Sequence, residues 1–116
     1  MEQFVIVNAR SSMLAEIEII LVGTGSPSLS AQLAPVAKLI DASGLDYRIG
    51  PMGTVVEGEW DIVMALVKRC HQAVLQTSTR VLTTIRIDDR KDKPGRGRIV
   101  QKVQSLETAA GRPLKR

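Results

Sequence analysis

Cysteine is nearly absent: Cys70 is the single one in 116 residues, so no internal disulfide can form and no second thiol is available for a zinc site. Aromatic residues are as scarce, one Phe, one Tyr and one Trp making 3% of the chain. That leaves no row of stacking platforms for single-stranded nucleic acid. No apolar run approaches the roughly 18 residues of a membrane span; the longest, Ile17 to Val22, follows Glu16 and contains Glu18. The basic-then-apolar layout of a signal peptide is missing as well, and the expectation is a cytoplasmic protein. Its length and its 44% hydrophobic content fit one domain with a core of its own.

Charge is present but unevenly spread. The net value is +4, yet Arg90 to Arg116 holds nine basic and two acidic residues, and everything before it is net acidic. A basic end can attract nucleic acid or anionic lipid; without interleaved aromatics the expectation is a solvated end, with no membrane partner and no nucleic-acid role.

The densest stretch is Gly50-Pro51-Met52-Gly53-Thr54-Val55-Val56-Glu57-Gly58-Glu59-Trp60-Asp61. Glycine and proline punctuate a hairpin, and Thr54-Val55-Val56 is β-branched throughout, as a strand prefers. Gly58 reads as the end of that strand, with Glu59 to Asp61 opening a helix whose first-turn acids suit the macrodipole. Alternation predicts a strand over 13–22, with Ala15, Ile17, Ile19 and Leu21 on one face. The loop Gly23-Thr24-Gly25-Ser26 leads to a helix from Ser28 or Ser30 to Ala42, capped by serine, with Pro35 an awkward internal residue and Gly44 a stop.

Further strands are expected over 45–49, 54–57 and 80–88. A strongly amphipathic helix is expected over 59–77, burying Trp60, Val63, Met64, Val67, His71, Val74 and Leu75. A last helix is expected over 98–110 with Ile99, Val103 and Leu106 inward. The order is strand, helix, strand, strand, helix, strand, plus one helix. That is an α+β, ferredoxin-like βαββαβ sandwich with an additional C-terminal helix. Residues 1–12 form an extension, with Phe4 to Val7 a possible strand and Met13 an alternative start. Residues 13–110 form the domain, and 111–116 a flexible basic tail.

Three segments in register carry a resemblance: Leu21 to Ser28, Gly50 to Trp60, and Thr83-Thr84-Ile85-Arg86-Ile87-Asp88-Asp89-Arg90. Together they resemble the small thiamine-binding proteins, over roughly Met13 to Leu106. The resemblance implies a ferredoxin-like fold, dimers and usually tetramers formed through sheet faces, and binding of thiamine or its hydroxymethylpyrimidine part without known catalysis. Pro35 and the extension before Met13 depart from that pattern.

The expected ligand-binding residues are Ser26, Ser30, Gly53, Thr54, Glu57 and Thr84. Glu57, at an element boundary, could accept from the aminopyrimidine and offset the thiazolium charge, or could equally be a first-turn acid of the helix that follows it. The hydroxyls supply donors or acceptors as needed, although singly each reads better as a cap or strand residue, and Gly53 admits backbone close to a flat ring. The Gly23 to Ser26 loop suggests anion binding by backbone N–H groups, but without a Gly-Lys-Ser/Thr ending it is no Walker motif.

Cys70 and His71 are adjacent on a helix and point about 100° apart, so they make no nucleophile and base pair. Trp60 reads as core, and Asp88, Asp89 and Asp92 as ion-pair partners across a subunit contact rather than a metal cluster. The sequence therefore points to a non-enzymatic homo-oligomer with no cofactor or metal, binding thiamine or hydroxymethylpyrimidine as carrier, buffer or sensor. The alternative is an interaction protein that assembles through its sheet face.

Overall fold

The structure, a computed structural model, describes residues 12–27, 29–92 and 95–116; the possible strand Phe4 to Val7 and the question of Met13 as start lie outside or at the edge of these. Its elements are β1 (Ser12–Leu21), α1 (Ser30–Ala42), β2 (Asp46–Ile49), β3 (Thr54–Glu59), α2 (Trp60–Leu75), β4 (Val81–Asp88) and α3 (Arg98–Ala110). The four strands form one antiparallel sheet in the order β2-β3-β1-β4. Helices α1 and α2 cover one face, which is the ferredoxin-like arrangement expected from the element order.

Alternation in β1 sets the core. Met13, Ala15, Ile17 and Leu21 are buried beneath the helices, joined by Val56 of β3 and by Val36 and Ile40 of α1. The even-numbered residues of β1 face the other way, so that Glu16 and Glu18 lie beside Arg86 and Thr84 of β4 on the uncovered face. Glu16 Oε1 accepts a hydrogen bond from Arg86 Nε at 3.1 Å. Among the described residues α3 approaches this face, most closely at its start, where Arg98 and Ile99 are buried. Arg98 there reaches back to the Asp88 side chain at 3.2 Å.

Several expectations are corrected. Gly58 does not end β3, which continues through it to Glu59. It is there because a Cβ at that point would lie 3.0 Å from Leu45 Cδ2 and 3.2 Å from Val63 Cγ2, so the strand and its neighbours close over a residue without a side chain. The buried stripe of α2 is Val63, Leu66, Val67, Cys70 and Val74, while Trp60 is 52% exposed and Leu75 is exposed too. The helix begins at Trp60, and its packed face starts one turn later, at Val63. Leu106 is likewise exposed, because the burial of α3 fades after its first turn.

Serine does not cap α1. Leu29 occupies the N-cap position without a side-chain bond, and Ser30 is already helical. Pro35 is accommodated inside α1. The carbonyl it deprives of a partner is that of Ala31, and both residues are exposed, so water can serve that oxygen. Helix α3 ends with Gly111 at φ +74° and with Arg112 N–H donating to the Glu107 carbonyl, a Schellman closure. Residues 111–116, expected as a loose tail, turn back onto Glu107, whose carboxylate accepts from Leu114 N–H at 2.7 Å and from Arg116 at 3.0 Å.

Candidate functional site

A cleft opens where the β2–β3 hairpin stops short of β1. The hairpin turn is closed by Gly50 N–H donating to the Gly53 carbonyl at 2.9 Å, and pairing of β1 with β3 ends at Ile17 opposite Thr54. Beyond that point β1 runs on from Glu18 to Leu21, paired with β4 on its other side only. The Val22 N–H to Arg80 carbonyl bond at 3.1 Å fixes the alternation along this pair. Even-numbered β1 residues bond toward β4, so the odd-numbered ones direct N–H and C=O toward β3. Ile19 therefore presents its backbone donor and acceptor to the gap, with no strand partner there among the described residues.

The gap is roofed by α1 and has a volume of about 430 Å³, lined chiefly by apolar groups of Ile17, Ile19, Leu33, Val36, Ile40 and Ile49. The turn residues Pro51, Met52 and Gly53 form one wall, Thr54 adds a hydroxyl, and Glu18 borders the gap from the open-face side of β1. Gly53 packs tightly against β1, since a Cβ there would sit 3.2 Å from the Ile17 carbonyl oxygen. Chemically this is a slot for a flat, largely apolar ring that pairs with a backbone edge, with one carboxylate at its open-face rim.

Glu57 lies elsewhere and has a different task. It is on the open-face side of β3, opposite Leu14, and is 4% exposed. Its carboxylate accepts from Ser12 Oγ at 3.0 Å, Gly97 N–H at 2.9 Å, Arg98 N–H at 2.9 Å and Ile99 N–H at 3.3 Å. Three of these donors are the first free amides of α3, so the carboxylate caps that helix and faces the positive end of its dipole. Glu57 is thus a helix acid, but for a helix that begins 41 residues later rather than for α2, which follows it directly. The α3 cap residue Gly97, at φ +82°, has no side chain to do the job itself.

The remaining expected site residues divide between the cleft and the surface outside it. Gly53 and Thr54 share the cleft. Ser26 is in the β1–α1 loop, where its N–H is taken by Thr24 Oγ1 at 3.3 Å, which turns that amide away from the role of an anion nest. Ser30 is exposed at the start of α1. Thr84 is on the open sheet face, in a shallow depression with Glu16, Glu18, Met52 and Arg86. Sequence reasoning missed Ile19 and Glu18 as cleft residues, and the mismatch in length between β1 and β3 was the signal that could have found them.

Other titratable groups have local partners. Lys102, followed by Arg98, holds Asp88 below the usual carboxylate range, so Asp88 has ion-pair partners within its own chain. Asp92 likewise pairs with Arg90. Tyr47 donates to Asp41 at 2.6 Å, and this bond raises its pKa. Burial pushes the Cys70 thiol up, and His71 Nδ1 is bonded to Thr83 Oγ1 at 2.6 Å. Among the described residues no group of His, Cys, Asp and Glu could hold a metal ion, and no helix is long and apolar enough to cross a membrane.

Comparison with known proteins places this geometry in a family. Residues 15–107 match the family model described as thiamine-binding protein. The chain is 42% identical over 85 residues to the UPF0045 protein YqgV of Bacillus subtilis, covering 69% of this chain and 82% of that one. It is 45% identical over 80 residues to a UPF0045 protein of Methanothermobacter thermautotrophicus, covering 67% and 81%. Among solved structures, the hypothetical protein MJ1052 of Methanocaldococcus jannaschii superposes with TM-score 0.75 at 31% identity, covering 83% of this chain and 96% of that one. A Thermotoga maritima protein, whose name ties it to thiamine biosynthesis or salvage, superposes with TM-score 0.70 at 24% identity over 82% and 98% of the two chains, a likeness of fold. The chain belongs to the thiamine-binding protein family.

Proposed function

We propose that the protein binds thiamine or its hydroxymethylpyrimidine moiety reversibly and without turnover in the cleft between β1, α1 and the β2–β3 turn, acting as carrier, buffer or sensor. The observation that carries this reading is the backbone of Ile19, without a strand partner on that side among the described residues, inside an apolar slot. A 4-aminopyrimidine has a ring nitrogen acceptor beside an amino donor, and that pair matches the N–H and C=O of one strand residue. Thr54 offers a hydroxyl at the same level, Gly53 keeps the turn close to β1, and Glu18, at the open-face rim of the gap, is the carboxylate nearest to hand for the thiazolium charge. In this reading Glu57 holds the frame by capping α3. Ser26, Ser30 and Thr84, which were also expected at the ligand, stand outside the cleft lining.

Self-association through the open sheet face is part of the same proposal. Ile20 and Leu82, opposite each other across β1 and β4, are 43% and 47% exposed there, and a second copy would cover them.

Titration calorimetry with thiamine and with hydroxymethylpyrimidine tests the reading. Saturable heat with both is expected, abolished by Ala37→Phe, which fills the cleft from α1. Glu18→Gln should weaken thiamine more than the uncharged pyrimidine. No heat at millimolar ligand would overturn the proposal.

A further inference from the structure

The β2–β3 turn carries an exposed thioether at the mouth of the cleft. Its backbone is held at both ends: Gly50 N–H donates to the Gly53 carbonyl at 2.9 Å, and Gly53 lies so near β1 that a Cβ there would be 3.2 Å from the Ile17 carbonyl oxygen. Between them Met52 is 79% exposed, the most open of the large apolar side chains among the described residues. It borders the cleft on one side and, on the other, the open-face depression that holds Glu18, Thr84 and Arg86. Met13, by contrast, is 1% exposed, and Met64 is partly buried. A methionine side chain is unbranched, turns about three bonds and makes favourable sulfur contacts with aromatic rings. From this anchored turn it can fold over a flat ring lodged in the slot.

We propose that Met52 is a modification site: its thioether covers the ring bound in the cleft, and oxidation to the sulfoxide removes that cover and lowers affinity. The inference rests on the thiamine reading of the cleft and adds a control on it. With hydrogen peroxide as oxidant, the sulfur lone pair attacks one peroxide oxygen, an S–O bond forms, the O–O bond breaks and, after proton transfer, water leaves. Sulfur is oxidised by two electrons and the peroxide is reduced by two. Susceptibility follows exposure, which favours Met52 over Met13 and Met64. The product is a polar side chain whose new oxygen accepts hydrogen bonds and donates none. The apolar side chains of Ile17, Leu33 and Ile49 offer that oxygen nothing inside the slot, and the Glu18 carboxylate at the rim repels it. The Arg86 guanidinium, in the depression on the other side of the turn, has N–H groups to give. Oxidation thereby draws Met52 off the slot toward the open face.

Titration calorimetry on the full chain before and after hydrogen peroxide tests it, with peptide mass spectrometry locating the added oxygen. The oxygen should appear first on Met52, and affinity for thiamine and for hydroxymethylpyrimidine should both fall about two- to tenfold, the range of a sulfur–ring contact. A methionine sulfoxide reductase should restore them. Met52→Ala should lower affinity to a similar extent without shifting the urea midpoint, since the side chain is exposed. Met52→Leu keeps an apolar side chain that peroxide does not oxidise, so its affinity should be the same before and after treatment. No heat from the untreated parent would overturn the cleft reading and this inference with it. Parent binding that survives either oxidation of Met52 or Met52→Ala, or a loss on oxidation that persists in Met52→Leu, would overturn the inference alone.

Discussion

Ser12 and Glu57, the first residue of β1 and the fourth of β3, meet through a buried 3.0 Å hydrogen bond, on the same carboxylate that caps α3. One side chain thereby ties two strands to a helix far along the chain. Glu57→Ala leaves buried amides of that helix without an acceptor, a loss of about 1–3 kcal/mol. Urea unfolding followed by circular dichroism should show it. Glu57→Gln replaces one oxygen with a donor that confronts the donors already there, and should also destabilise. If the carboxylate acts only as a cap, affinities for thiamine and hydroxymethylpyrimidine fall together or not at all; a loss confined to thiamine would restore a counter-charge role.

Gly58→Ala tests close packing. The new methyl meets Leu45 at 3.0 Å and Val63 at 3.2 Å, and Val63 is fully buried, so it has little room to give. A loss of about 1–3 kcal/mol is expected, measured as a shift of the urea midpoint at unchanged slope.

Asp88 supplies a pH dependence. Its pKa is lowered in the folded chain, first by the Lys102 bond and then by Arg98. A depressed carboxylate stabilises the fold above its unfolded pKa of about 3.9, and the contribution is lost as pH falls through the lower folded value. Asp88→Asn should therefore reduce stability relative to the parent at pH 6, and the two should converge as the pH approaches 2. Parallel denaturation curves across that range check it.

Cys70 is fully buried, with its thiol pushed up by desolvation. Alkylation by iodoacetamide at pH 7.5 should be negligible in the native chain and rapid in denaturant. Mass spectrometry over time measures the difference.

Much of the fold could be read from local pattern. The β-branched run after Gly53, the alternation of β1 and β4 and the extent of α3 all express short-range preferences that the tertiary structure keeps. Gly58 was misread because a glycine that ends a strand and one that lets a neighbour approach look alike in sequence. Trp60 was misread because helical periodicity assigns a face but not the turn at which packing begins. The site was less legible still. Glu57 acts on amides 40 to 42 residues away, and the open backbone at Ile19 arises from unequal strand lengths, which no single residue type announces.

The position of Trp60 has a practical consequence. As the sole indole of the molecule, set at the β3–α2 junction and half open to water, it should fluoresce at the long wavelengths of a hydrated ring. Its emission maximum is then a poor gauge of global denaturation, but a convenient optical reporter for anything that docks over that corner.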